Sequence, residues 1–230
     1  MIQVWLASYP RSGNTFLRHA IESVYGVATE TLYIENDTTV EPTFPVDYAV
    51  LNGCYRFVKT HAARCSHEAF RRFPAINLVR DGRDALVSHA HFEIGVGVQP
   101  VPDDFNKALK KLILGGIKKG RLEPPPTFYN WGHDVLSWYN KPNVYQMKFE
   151  NLIENPIEEV KRAFAVLNIN LPRKSESVAT FDRLHGHDPV MFRRGKVGSY
   201  KDEMCEEIQH LFMKHNGNAM KLYGYGGETE

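Results

Sequence analysis

The chain has 230 residues, of which 43% are hydrophobic and 24% charged, a composition typical of a globular protein with one sizeable core. The 28 Lys and Arg residues against 27 Asp and Glu leave a formal charge of +1, which argues against a nucleic-acid-binding surface. Three cysteines without C-x-x-C spacing and no run of about 20 apolar residues argue against a disulfide framework and a membrane span. We therefore expect one cytoplasmic domain, residues 1–230, with neither a nucleic-acid nor a membrane partner.

Four short apolar runs bounded by turn residues predict strands at 2–7, 55–60, 75–79 and 143–149. Helical patterns lie at 15–25, 66–73, 84–91, 104–119, 127–139, 157–167 and 202–215. Strands that alternate with helices predict an α/β fold with a mainly parallel central sheet flanked by helices. In such a sheet ligands bind at the carboxyl ends of the strands.

The first predicted strand runs through the segment SYPRSGNT into an amphipathic helix. The first N–H groups of a helix lack partners within it, so this loop can hold a phosphate. Gly13 permits close approach, Ser12, Asn14 and Thr15 add side-chain donors, and Arg11 adds a positive charge. A Walker A loop fits poorly because its second glycine and its lysine are missing. An ordinary βα turn capped by Ser or Asn is the alternative for this segment alone.

Two later segments carry groups that suit a second phosphate. The segment VRDGRDALVS places Arg80 at the tip of the third predicted strand, and Ser88 follows Asp84 by one helical turn. The segment MFRRGKVGSYKDE carries four cations around two glycines, namely Arg193, Arg194, Lys196 and Lys201. Taken one at a time, these residues fit plainer interpretations better than a phosphate site: a surface salt bridge for Arg80, a solvent-facing serine for Ser88 and a solvated charge run for the last segment.

The segment FVKTHAA places Lys59 and His61 on one face of the second predicted strand, near its end. A histidine beside a lysine suits a general base with an electrostatic helper, and a structural histidine is the alternative. No His or Cys cluster has the spacing of metal ligands, so we expect no metal. Residues 95–126 break the helical periodicity at both ends, which predicts an insertion or lid.

Together, and in this order, these segments resemble sulfotransferases that use 3′-phosphoadenosine 5′-phosphosulfate (PAPS). SYPRSGNTF is similar to the family's 5′-phosphosulfate loop, and VRDGRDALVSHAHF to its 3′-phosphate segment. FVKTHAA, VYQMKFENLIENP and FRRGKVGSYKD are similar to its Lys-Thr-His strand, its Tyr-Glu-Asp-Leu segment and its Arg-Lys-Gly loop. The resemblance implies a single-domain, P-loop-NTPase-like fold. It also implies in-line transfer of a sulfuryl group from PAPS to a hydroxyl or amine of a small-molecule or glycan acceptor, with release of 3′-phosphoadenosine 5′-phosphate (PAP).

The resemblance implies a role for each matching residue. The residues implied to bind the 5′-phosphosulfate are Arg11, Ser12, Gly13, Asn14 and Thr15. Those implied to bind the 3′-phosphate are Arg80, Ser88, Arg193, Arg194 and Gly195. Phe16 matches an aromatic residue that stacks on adenine, and Phe149 stands where the family usually has a tyrosine. His61 matches the catalytic base, with Lys59 beside the sulfuryl group and Arg11 in place of the usual lysine.

Several alternatives stay open at this point. A P-loop-type nucleotide kinase or phosphotransferase would share the strand, loop and helix, and a non-catalytic adenine-nucleotide-binding protein would need neither Lys59 nor His61. His89, His91 and Glu93 are the other candidate bases. We expect residues 37–52 and 91–126 to select the acceptor, whose identity the sequence does not reveal, and the sequence assigns no oligomeric state.

Overall fold

The computed structural model describes residues 2–31, 55–95, 104–115 and 130–226. The strands in these ranges are β1 (Ile2–Ser8), β2 (Thr29–Thr31), β3 (Tyr55–Thr60), β4 (Ala75–Val79) and β5 (Val144–Lys148). They form one sheet in the order β2-β3-β1-β4-β5, and every neighbouring pair is parallel. All five carboxyl ends therefore meet at one edge, with β1 in the centre.

Helices cover both faces of this sheet. They are α1 (Asn14–Tyr25), α2 (Ala69–Arg72), α3 (Gly82–Gly95), α4 (Phe105–Ile113), α5 (Trp131–Trp138), α6 (Phe149–Glu154), α7 (Pro156–Val166), α8 (Phe181–His187), α9 (Tyr200–Glu203) and α10 (Glu206–Leu222), with a 3₁₀ turn at Arg64–Ser66. One core cluster packs α1, α6 and α7 against the sheet, and another joins α3, α4, α5 and α10. Within the described ranges, no helix is long and apolar enough to cross a bilayer.

The sequence explains why the central strands and α1 form where they do. All five residues of β4 are buried, as expected for a strand covered on both faces, which needs a continuous apolar run. Helix α1 places Leu17, Ile21 and Val24 on its buried face at helical spacing. The helix ends at Gly26, whose φ of 63° is left-handed and whose N–H donates to the carbonyl oxygen of Glu22.

The α/β fold and its parallel sheet are confirmed, but some predicted elements are wrong in detail. The single helix predicted at 66–73 is a 3₁₀ turn followed by the four-residue helix α2, because His67 is extended between them. The strand predicted to reach Phe149 stops at Lys148, since Phe149 is the first residue of α6. The helix predicted at 202–215 is split into α9 and α10 and continues to Leu222.

Three elements were not predicted: β2, α6 and α8. Strand β2 is a three-residue edge strand without an apolar run, and side chains of α1 hold it in place. Arg18 Nε donates to Thr29 Oγ1 at 2.6 Å, and Thr29 Oγ1 donates to Glu22 Oε1 at 2.7 Å. In the predicted insertion, α4 is described, whereas residues 96–103 and 116–129 lie outside the described residues, as does the acceptor segment 37–52.

Candidate functional site

The carboxyl end of β1 continues into a tight loop that leads into α1. Arg11 and Gly13 have φ values of 64° and 99°, and the Ser12 N–H donates to the carbonyl oxygen of Tyr9 at 3.2 Å. A Cβ atom on Gly13 would lie 2.5 Å from Cδ2 of Phe149, so only glycine fits there. The loop therefore presents the first N–H groups of α1, a site suited to an anion.

Two side chains of this loop behave differently. Ser12 is fully buried, and its Oγ has no hydrogen-bond partner among the described residues. A buried hydroxyl without a partner is costly, so this oxygen suits a ligand. The Asn14 amide instead donates to the carbonyl oxygen of Leu6 at 2.9 Å and to Ser8 Oγ at 3.0 Å. Asn14 thus ties α1 to β1, while Thr15 is half-buried in the first turn.

Arg80 follows β4 and connects the loop after β1 with a C-terminal segment, residues 190–203, which we call the basic loop. Its Nη1 donates to the carbonyl oxygen of Arg11 at 3.4 Å and its Nη2 to that of Lys196 at 2.8 Å. Its guanidinium carbon lies 4.5 Å from the centroid of the Phe149 ring. Burial lowers the pKa of Arg80, and its buried Nε has no partner among the described residues.

The buried carboxylate of Asp84 anchors the basic loop to α3. It accepts hydrogen bonds from the Gly198 N–H at 2.7 Å, Ser199 Oγ at 3.1 Å and the Tyr200 N–H at 2.9 Å. Its Oδ2 also lies 4.0 Å from Nη2 of Arg80. One carboxylate therefore fixes both the predicted phosphate-binding arginine and the start of α9.

The predicted arginines of the basic loop share one carboxylate. Arg193 Nη1 and Nη2 donate to Glu203 at 3.1 and 3.0 Å, and Arg194 Nη1 donates to it at 3.0 Å. Burial alone would raise the pKa of Glu203, but hydrogen bonds from Arg193 and His91 hold it below its ordinary value. Gly195 has a φ of 60°, and a Cβ atom there would lie 2.6 Å from the Phe181 ring.

Arg11 binds the basic loop through its side chain. Its Nη2 donates to the carbonyl oxygens of Val190 and Met191 at 2.8 and 2.9 Å. Its Nε donates to Ser88 Oγ at 3.4 Å, and its guanidinium lies 4.7 Å from the Phe92 ring centroid. Burial and the charges of Arg80 and Arg193 lower the pKa of Arg11 to about 10.

The two aromatic residues predicted near adenine are part of the core. Phe16 is 4% exposed and packs with its ring centroid 6.5 Å from that of Phe181. Phe149 is buried against the Arg80 guanidinium and the backbone of Gly13. Both rings therefore contribute to the packing that holds the loops of the site in place.

Lys59 and His61 come together at the carboxyl end of β3. His61 Nδ1 donates to the carbonyl oxygen of Ser8 at 2.7 Å. Because a carbonyl oxygen only accepts, Nδ1 carries a proton, and this bond selects the tautomer in which Nε2 holds the lone pair whenever the ring is neutral. Burial, with the charges of Arg18 and Arg11, lowers the pKa of Lys59 to about 8.

Each of the alternative bases is close to another side chain, in α3 or in the basic loop. His89 Nε2 lies 3.2 Å from Glu93 Oε1 within α3, and both residues are buried. His91 Nε2 lies 2.5 Å from Glu203 Oε2. The described part of the chain contains no group of three or more His, Cys, Asp or Glu side chains arranged for a metal ion.

The structure thus brings the loop after β1, Arg80, Ser88 and the basic loop into one site. The sequence analysis assigned no function to Asp84 or Glu203, which hold this site together. Asp84 lies in VRDGRDALVSHAHF, the part of the chain that resembles the family's 3′-phosphate segment, a signal that could have identified it. Glu203 carries no such signal, because the helical pattern predicted at 202–215 does not show that this residue faces Arg193 and Arg194.

Comparisons with known proteins agree with this arrangement. The chain matches the family model of the sulfotransferase domain over residues 1–224. It is 24% identical over 183 residues to Sulfotransferase 1B1 of Canis lupus familiaris, across 72% of this chain but only 59% of the dog protein's length. It is also 24% identical over 261 residues to Flavonol 3-sulfotransferase of Flaveria bidentis, across 90% of this chain and 80% of that protein.

The fold is shared with a solved structure, the mouse sulfotransferase SULT7A1 complexed with PAP. That protein is 20% identical, with a TM-score of 0.69 over 98% of this chain and 86% of its own. The resemblance inferred from the five ordered segments is thereby confirmed, and the chain belongs to the sulfotransferase family.

Proposed function

We propose that this protein is a PAPS-dependent sulfotransferase. The observation that carries the proposal is a cluster of three cations, the buried Arg80 and the partly buried Arg11 and Arg193, beside buried donor atoms that have no partner among the described residues. The charges of Arg80 and Arg193 both act on Arg11, so three guanidinium groups repel one another in one site. Ser12 Oγ, Arg80 Nε and Arg193 Nε are buried without partners in the described structure. A ligand with more than one anionic group relieves the repulsion and satisfies these donors.

PAPS fits this donor set because it carries a 5′-phosphosulfate and a 3′-phosphate on one adenosine. The loop after β1 supplies the N–H groups of a helix N-terminus for the first anion. Arg80 and the basic loop supply guanidinium groups for the second, and guanidinium suits phosphate because it donates in pairs. When bound, PAPS supplies a sulfuryl group on a phosphate leaving group, so positioning and charge stabilisation do most of the catalysis.

His61 is proposed to be the general base. Its Nδ1–H donates to the Ser8 carbonyl oxygen. This leaves Nε2 to take the proton from the hydroxyl or amine that receives the sulfuryl group. The protonated ammonium of Lys59 stabilises negative charge that develops on the transferring group and the departing phosphate. Arg11 contributes charge to the same region, although its guanidinium N–H groups mainly hold the basic loop.

The acceptor is proposed to be a small molecule with a hydroxyl group. The flavonol relative is named for a small hydroxylated substrate, which supports this class. We expect residues 37–52 and 91–126 to select the acceptor. A glycan hydroxyl or an amine is the alternative acceptor. A cytoplasmic location and a single domain over residues 1–230 stay predictions.

The test is transfer from radiolabelled PAPS to a panel of simple phenols and alcohols. We expect the wild-type protein to label at least one of them. His61→Ala should lower kcat by about 10²–10⁴-fold, because general-base catalysis typically contributes that much. The dissociation constant of PAP should change less than about twofold, since the proton acceptor makes no nucleotide contact in this proposal.

The matched control is His215→Ala, which removes an exposed histidine of α10 and should leave kcat unchanged. Turnover of His61→Ala within a few-fold of wild type would assign the base to another residue. PAP binding without transfer to any acceptor on the panel would favour the non-catalytic nucleotide-binding alternative.

A further inference from the structure

Glu203, the last residue of α9, is the common partner of three side chains that can carry positive charge. It receives both terminal nitrogens of Arg193, one of Arg194, and Nε2 of His91. Only 13% of its side chain and 21% of that of Arg193 are exposed. Hydrogen bonds between ionised groups are strong in such partly dry surroundings, so this cluster fixes the orientation of Arg193.

The pairing leaves one edge of the Arg193 guanidinium unused. A guanidinium can bind two anions at once, one on the edge with both terminal nitrogens and one on the edge that includes Nε. Glu203 occupies the first edge, and the buried Nε has no partner among the described residues. Arg193 also lies close enough to Arg11 and Arg80 for its charge to lower the pKa of both. The geometry is that of an arginine whose two terminal nitrogens are fixed by Glu203 and whose buried Nε is left for a ligand.

Glu203 is itself held in place. Its helix begins at Tyr200, whose N–H donates to Asp84 at 2.9 Å, and the turn closes through the Met204 N–H to the Tyr200 carbonyl oxygen at 2.8 Å. On the other side, His91 belongs to α3, and its ring packs 4.6 Å from that of Phe105 on α4. The carboxylate is therefore fixed by the folded core, and it in turn fixes the two arginines.

We infer that Glu203 is a positioning residue for the 3′-phosphate of the nucleotide, acting through Arg193 and Arg194. This inference rests on the proposed function. The opposing interpretation is that Glu203 competes with the phosphate for the arginines. Competition requires both anions to use the same N–H groups, whereas Arg193 keeps its Nε edge apart from Glu203.

The experiment compares PAP with adenosine 5′-monophosphate (AMP), which lacks only the 3′-phosphate, by titration calorimetry. Glu203→Gln should weaken PAP binding by about tenfold to a hundredfold, as when a residue that orients a metal ligand is removed. AMP binding should stay within about twofold, because AMP makes no use of these arginines. In the Arg193→Ala background, Glu203→Gln should cause a much smaller further loss, because most of its effect passes through Arg193.

The control is Glu158→Gln, which removes an exposed carboxylate of α7 that also pairs with cations, Lys161 and Arg173. It should change neither affinity. Tighter PAP binding by Glu203→Gln would overturn the inference in favour of competition, and equal loss of PAP and AMP affinity would make Glu203 a purely structural residue. If the wild-type protein shows no preference for PAP over AMP, the proposed function fails instead, so the two failures are distinguishable.

Discussion

The loop after β1 and the basic loop hold the two ends of the same proposed ligand but are built in different ways. The first is local, because a strand end, a left-handed glycine and a helix N-terminus follow one another within residues 8–15. The second depends on distant partners, since Asp84 accepts bonds from residues 114–116 positions away. The first loop is shaped mainly by its own backbone and near neighbours such as Asn14, whereas the carboxylates of Asp84 and Glu203 shape the second.

This difference predicts which nucleotides lose affinity when each loop is changed. Damage to the loop after β1 should weaken every adenine nucleotide with a 5′-phosphate, because all of them use it. Damage to the basic loop should weaken only nucleotides with a 3′-phosphate. The following variants test this distinction.

Arg80→Ala should have the largest effect on PAP affinity, because Arg80 is buried and its guanidinium is proposed to bind the 3′-phosphate directly. Leaving a buried phosphate unpaired costs about 2–5 kcal/mol, by analogy with truncated charge pairs at interfaces, which is about 30-fold or more in PAP affinity. AMP affinity should change far less. Calorimetry measures both, with the exposed Arg71→Ala as control. Wild-type PAP affinity in Arg80→Ala would show that Arg80 does not hold the 3′-phosphate.

Gly13→Ala should destabilise the fold and weaken PAP and AMP alike. The new Cβ would lie 2.5 Å from the Phe149 ring, at a φ of 99° that alanine rarely adopts. We expect thermal unfolding to show a loss of about 2 kcal/mol or more. Gly217→Ala is the matched control, since its nearest atom would be Met213 Cε at 3.9 Å, within α10. Normal stability together with selective loss of PAP affinity in Gly13→Ala would contradict the distinction drawn between the two loops.

Asp84→Asn should weaken PAP by about tenfold, because an amide cannot replace both acceptor oxygens and leaves a buried N–H of the basic loop unpaired at a cost of about 1–3 kcal/mol. AMP affinity should stay near that of the wild type. Asp202→Asn, which changes an exposed carboxylate of α9, is the control. If Asp84→Asn reduced AMP affinity as much as PAP affinity, Asp84 would support both loops and the distinction between them would be lost.

The smallest expected effect is on the pH dependence of kcat, which tests the proposed role of Lys59. In the proposed mechanism the protonated ammonium is the active form, and its pKa is lowered to about 8 by burial and by the charges of Arg18 and Arg11. Activity should therefore fall as pH rises, with about half lost near pH 8. In Lys59→Arg the guanidinium stays charged, so this decline should move to much higher pH. An unchanged decline in Lys59→Arg would assign it to another group.

The fold could be predicted from the sequence wherever elements are local and apolar. The runs that became β1, β3 and β4 and the amphipathic pattern of α1 follow from burial alone. Strand β2 could not be predicted, because the three residues Thr29–Thr31 pair only through the edge of β3 and anchors from α1. The helix predicted at 66–73 was wrong because nothing in its periodicity marks the extended His67.

The location of the candidate site could be predicted for the same reason, whereas the roles of its residues stay predictions. Ser12, Gly13 and Arg80 could be identified because strand ends and helix starts are visible in the pattern. The role of Glu203 could not be assigned, because it depends on contacts with Arg193 and the distant His91 that the sequence pattern does not show. Asp84 lay in a matching segment, but its bonds to the basic loop were not visible in the sequence. Nor does the sequence show that Arg11 reaches residues 190–191 or that Phe16 is enclosed by the core.

The most direct test of the whole account is a calorimetric titration of the wild-type protein with PAP, AMP and ATP. If the two loops together hold a nucleotide with 5′- and 3′-anions, PAP must bind far more tightly than either AMP or ATP. Equal affinity for all three would mean that the guanidinium cluster does not recognise a 3′-phosphate, and the assignment of both loops would be wrong.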